Sequence, residues 1–114
     1  MTEKGVWEYL REKYRKLPYP ESYTVSLPQN VITQVVKENP NRIQLLIVNN
    51  SDYPVYLNFY PNVSETTGIR LQEKGGILSL SIDEDGILPT FAVYALSPFS
   101  SATLFVIEII LGGE

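Results

Sequence analysis

The 114 residues include 9 Lys and Arg against 13 Asp and Glu, no histidine and no cysteine, with 44% apolar and 19% charged residues. Length and composition fit one globular domain, and a net charge of −4 is opposite in sign to a broad nucleic-acid surface, so nucleic acid is not an expected partner. Without cysteine there is no disulfide, thiolate metal site or thiol nucleophile; without histidine the commonest general base and transition-metal ligand are gone.

Residues 3–16 read as the one helix. Glu, Lys, Leu and Arg dominate it, and Thr2 is the expected N-cap. Val6, Trp7, Leu10 and Tyr14 recur at helical spacing and form one apolar stripe, the candidate interface. Glu12 and Lys16 stand four apart in the favourable order. Residues 1–16 carry five cations against three carboxylates, a balance of +2, which leaves −6 of the total −4 on the remainder. A basic arm on an acidic body suits docking on a neighbouring copy; a solvated helix face is the plainer reading. Pro18 and Pro20 end the helix. Residues 1–21 are therefore expected to form a helical arm with a Pro-containing linker, and residues 22–114 a β domain. The linker either holds the arm away from its own body or lets it fold back.

From Ser22 the pattern changes to short β-branched and aromatic runs separated by turn clusters. Strands are expected at Tyr23–Leu27, Val31–Lys37, Arg42–Asn49, Val55–Phe59, Ile69–Leu71, Ile77–Ile82, Phe91–Leu96 and Thr103–Leu111. Asn39-Pro40-Asn41, Asn50-Ser51-Asp52 and Lys74-Gly75-Gly76 supply turns, and Gly112 to Glu114 should fray. Arg42–Asn49 is apolar on both faces, as a central, doubly covered strand would be. About eight strands make two sheets. The expected fold is all-β: an antiparallel sandwich, jelly-roll-like or Ig-like, with one short N-terminal helix.

Catalytic signals are missing. No lysine sits in a serine–lysine arrangement, and Lys74-Gly75-Gly76 lacks the strand–loop–helix context of a phosphate loop. Asp83-Glu84-Asp85-Gly86 could open a calcium loop, but Ile87, Leu88 and Pro89 occupy the downstream ligand positions, so an exposed hairpin turn is expected. Glu65, Glu73, Asp83, Glu84 and Asp85 show no spacing that marks a glycosidase pair. No enzyme activity, cofactor or metal is expected. Asn49-Asn50-Ser51 and Asn62-Val63-Ser64 match the glycosylation triplet by chance. The polar N-terminus lacks a signal-peptide core, and no apolar run reaches the roughly 20 residues of a membrane span. Membrane insertion and secretion by a signal peptide are therefore not expected.

Eight tyrosines are an excess. Tyr53, Tyr56 and Tyr60 cluster in sequence around the long polar loop at residues 60–67 and are the candidate ligand platform, a glycan surface among the options. They also read as ordinary half-buried strand residues or as part of a protein interface.

The stretch Arg42-Ile43-Gln44-Leu45-Leu46-Ile47-Val48-Asn49-Asn50-Ser51, followed by Pro54-Val55-Tyr56-Leu57, resembles small β-sandwich structural proteins of bacteriophages and archaeal viruses. Thr67-Gly68-Ile69, Val93-Tyr94-Ala95 and Val106-Ile107-Glu108 extend the resemblance over residues 42–110. It implies a non-enzymatic virion or assembly protein, such as a decoration, head-fibre or connector subunit. Its partners would be copies of itself and other virion proteins, and its location the virion or the host cytoplasm. The alternatives are a glycan-binding module and a virus-encoded accessory protein that binds a host protein.

Overall fold

A computed structural model describes residues 5–113. Thr2, the expected N-cap, and Lys4 and Glu114 lie outside them. The chain runs α1 (Val6–Tyr14), β1 (Leu17–Leu27), β2 (Thr33–Val36), β3 (Arg42–Asn49), β4 (Val55–Asn58), β5 (Ile69–Leu71), β6 (Gly76–Ser81), α2 (Ile82–Asp85), a 3₁₀ turn at Leu88–Thr90, β7 (Val93–Leu96) and β8 (Ala102–Gly113).

Two four-stranded sheets form, ordered β1-β8-β3-β6 and β2-β7-β4-β5, and every strand pair is antiparallel. The pairs β1/β8, β2/β7, β3/β6 and β4/β5 are those of one long hairpin, β1 to β4 against β5 to β8, rolled up on itself. That is the jelly roll, which decides between the two sandwich types expected. The core lies between the sheets. Leu27, Leu45, Ile47, Leu104 and Val106 from the first sheet meet Val35, Val55, Leu57, Leu71, Val93 and Ala95 from the second. Period-two alternation puts these residues inward and leaves Leu46, Val48, Phe105 and Ile107 on the outer face.

The molecule measures 52 × 24 × 21 Å. Strand length accounts for the long axis: the twelve residues of β8 span about 40 Å at about 3.4 Å each. The second sheet has strands of three or four residues and covers only the part of the first sheet nearest Leu27 and Ala102.

Four expectations are corrected. Leu17–Glu21 is not a linker: it is the first half of β1, paired with β8 from Leu17↔Gly113 to Glu21↔Glu108. Its prolines fit because β1 is an edge strand, where alternate N–H groups point away from the partner and can be missing. Gly112 and Gly113 belong to β8 rather than fraying. Asp83–Gly86 is not a hairpin turn. Ser81 caps α2, its Oγ accepting from Glu84 N at 3.3 Å while its own N–H donates to Asp85 Oδ2 at 3.0 Å. This reciprocal cap makes one helical turn out of an acidic run. The ends of β2 and β7 are shorter than expected because Val31, Ile32, Phe91 and Ala92 lie in connections.

Candidate functional site

Sequence at the N-terminal arm and exposure on the first sheet converge on one surface. In α1, Tyr9 N–H donates to Gly5 O at 3.2 Å, and no side chain caps the N-terminus. Arg15 ends the helix with φ 66°, in the left-handed region, and turns the chain directly into β1. Nine residues are too few for a stable isolated helix, so packing must hold it.

The four stripe residues part company. Leu10 and Tyr14 are half-buried and line a groove of about 320 Å³ with Pro18, Ile43 and Ile109 on the outer face of the first sheet. Val6 and Trp7, one turn earlier, are 65% and 71% exposed. The helix therefore folds back on its own body at its C-terminal end and presents an indole to solvent at the other. Lys13 Nζ lies 3.9 Å from Asp83 Oδ1 and 5.2 Å from the Tyr14 ring centroid. Asp83, and secondarily the tyrosines, raise the Lys13 ammonium above its ordinary value. The pair is solvent-exposed and orients the arm more than it stabilises it.

The outer face continues this apolar surface. Leu46 lies opposite Ile107 and Val48 opposite Phe105; all four are half-buried. Leu46, Ile107 and Ile109 line a shallow groove of about 180 Å³ with Gln44 and Ser79. β3 and β8 are apolar on both faces, as the sequence indicates, yet beyond the end where α1 sits no second layer covers this face among the described residues.

The tyrosine platform does not assemble. Tyr56 is 8% exposed in β4. Tyr53 and Tyr60 are exposed, at opposite ends of that strand: Tyr53 lines a cleft with Asn50 and Ser101, Tyr60 a groove with Phe59, Phe91 and Tyr94. Position explains the split: Tyr56 lies within β4 (Val55–Asn58), whereas Tyr53 precedes Pro54 and Tyr60 follows the strand's end.

A buried polar network was not anticipated. Arg42 is 2% exposed, and its Nε donates to Glu108 Oε1 at 2.7 Å. Its Nη1 donates to Pro89 O at 2.9 Å and Phe91 O at 3.1 Å, and its Nη2 to Lys37 O. Tyr23 Oη donates to Glu108 Oε2 at 2.5 Å. Burial, then the hydrogen bond to Glu108, push the Tyr23 phenol above its ordinary value. The network joins β1, β3, β8, the 3₁₀ turn and the β2–β3 connection, with every buried side-chain polar atom partnered among the described residues. The signal was available: Arg42 and Glu108 are the charges inside two otherwise apolar strands, and an unpaired charge there would be prohibitive. The network is a clamp and leaves neither group free for chemistry.

Among the described residues no helix is long and apolar enough to cross a membrane. No family model matches the sequence, and no curated protein matches it. A solved structure described as "Bacillus endospore appendages form a novel family of disulfide-linked pili" superposes with a TM-score of 0.53 over 87% of this chain and 91% of its own, at 16% identity. At that identity the likeness is one of fold: the sandwich of this chain is shared with a chain from those Bacillus appendages.

Proposed function

We propose that this protein is a non-enzymatic structural subunit that self-assembles, with α1 of one copy docking on the half-buried apolar outer face of the first sheet in the next. The observation that carries the reading is Trp7, exposed together with Val6 on a helix whose other stripe residues, Leu10 and Tyr14, are seated. Exposed indoles flanked by an uncovered apolar sheet face are the anatomy of an unfilled interface. Charge supports the same partner, since a basic arm meets an acidic body. The appendage protein that shares the fold is described as part of a pilus, and residues 42–110 resemble virion proteins; both favour an assembling subunit. This chain has no cysteine, so its contacts are not disulfide-linked, unlike those in the pili of that description. We place it in a viral particle, where it would meet other virion proteins.

Light scattering tests the assembly. The native chain should form multimers, and Val6→Ser with Trp7→Ser should weaken self-association at least ~30-fold, the worth of a ~2 kcal/mol hot spot. Both residues are exposed, so the fold should survive, and circular dichroism checks this. A native chain that stays monomeric at about 100 µM, far above the range of a specific interface, would refute the reading. Detection of the chain in purified virus particles tests the location.

A further inference from the structure

The end of the sandwich opposite α1, where β1 and β3 finish and β8 begins, carries an open cleft of about 460 Å³. That size falls within the roughly 300–1,000 Å³ of small-ligand sites. Two layers with different roles build this end: the residues that line the cleft, and an inner layer behind them. The inner layer is polar, buried and fully engaged. Asn49, buried at the end of β3, donates from Nδ2 to Tyr53 O at 2.9 Å and to Leu71 O at 3.2 Å, and its Oδ1 accepts from Ser51 N at 3.0 Å and from Ser51 Oγ. Ser97, also buried, donates from Oγ to Ser100 O and through its own carbonyl holds Asn30 N at 2.9 Å. Asn50 N donates to Thr103 O at 3.2 Å, and Lys74 N to Ser51 O at 2.9 Å. The connections at this end are thus tied to one another through backbone groups, and the cleft between them is preformed.

The outer layer is the reverse. Asn50, Asp52, Ser101 and Thr103 line the cleft, are exposed, and make no side-chain hydrogen bond among the described residues. Tyr53 adds an exposed ring beside them. The lining therefore offers hydroxyls, one amide, one carboxylate and one aromatic face beside the apolar Leu27, Pro28 and Ala102, with no cation. An anion would meet Asp52 with nothing to offset it. A purely apolar ligand would strip water from these polar groups without replacing their hydrogen bonds. A polyol does neither: its hydroxyls both donate and accept, which suits Asn50, Asp52 and Thr103, and its C–H face can lie on the Tyr53 ring.

We propose that this cleft binds a neutral, polyhydroxylated ligand, the class of an uncharged sugar residue, with Tyr53 as the stacking face and Asn50, Asp52 and Thr103 as the hydrogen-bonding groups. The site lies at the opposite end of β3 from α1 and shares no lining residue with the groove that seats it. Of the three tyrosines singled out by the sequence it takes Tyr53 alone.

The test is a titration of the isotope-labelled native chain, followed by amide NMR, with maltose, cellobiose and N,N′-diacetylchitobiose separately, and glucuronate as the anionic control. At least one neutral sugar should shift the amides of residues 50–53 and 100–103, saturating at a Kd on the order of 1 mM, as for a small exposed site. Tyr53→Ala and Asp52→Ala should each weaken binding about 10-fold. Tyr53→Ala keeps the backbone carbonyl that Asn49 holds, so the loop should stay folded, and an unchanged spectrum away from the cleft checks this. Tyr60→Ala should leave binding unchanged. No shift with any of the three sugars, equal shifts with glucuronate, or shifts that survive Tyr53→Ala would overturn the proposal.

Discussion

Arg42 and Glu108 show how a charge is tolerated inside a small core. Each would be prohibitive alone; together, with three backbone carbonyls and a tyrosine hydroxyl, they leave no orphaned group. Removing one partner is therefore far worse than removing both. Arg42→Met or Glu108→Leu should each lower unfolding stability by about 3–5 kcal/mol, with a smaller combined loss than the two summed, read from urea midpoints in a double-mutant cycle. Tyr23 adds a pH signature. Its raised pKa means that the folded state favours the protonated phenol. Its contribution is complete below the unfolded value of about 10 and is lost as pH rises past that value. Tyr23→Phe should cost about 1 kcal/mol at neutral pH, the worth of one partly solvated hydrogen bond. It should also flatten the fall in stability above pH ~10; an identical alkaline slope in both proteins would rule out this assignment. The two charges in apolar strands were visible in the sequence, but their pairing was not, because β3 and β8 are neighbours only through the rolled topology.

Among the elements, β1 best separates what local sequence reveals from what it hides. Pro18 and Pro20 correctly signal the end of α1 and an extended chain. They say nothing about whether that chain pairs, because an edge strand tolerates proline on its outward side as well as a linker does. The partner, β8, lies almost the whole chain away. The acidic run at α2 failed for a different reason: Asp-Gly pairs suggest hairpins, but Ser81 upstream supplies a helix cap that outcompetes the turn. Strands β3 to β6 were legible because their alternation is strong and their turns carry Asn or Gly. The prolines also protect the longest exposed edge of the first sheet. Pro18→Thr with Pro20→Thr restores two outward N–H groups and should increase non-specific aggregation, seen as sedimenting material on warming, with the fold retained. An unchanged aggregation onset would show that the edge is protected by other means.

At the scale of the whole molecule, the second sheet covers the inner face of the first, and α1 covers only one end of the outer face. The sequence disclosed the stripe Val6, Trp7, Leu10 and Tyr14 but not its division, since helical spacing does not say which half meets the chain's own Ile43 and Ile109. The tyrosine cluster misled because nearness along the chain is not nearness on a face. If the exposed half of α1 docks on a neighbour, raising salt should weaken the assembly, as screening removes the attraction between basic arm and acidic body. The chain has a single tryptophan, so its fluorescence reports this contact directly. In a dilution series of the native protein, Trp7 emission should shift to shorter wavelength as concentration rises, in step with the multimer fraction from light scattering. Emission fixed at the wavelength of a water-exposed indole while multimers form would contradict docking through α1.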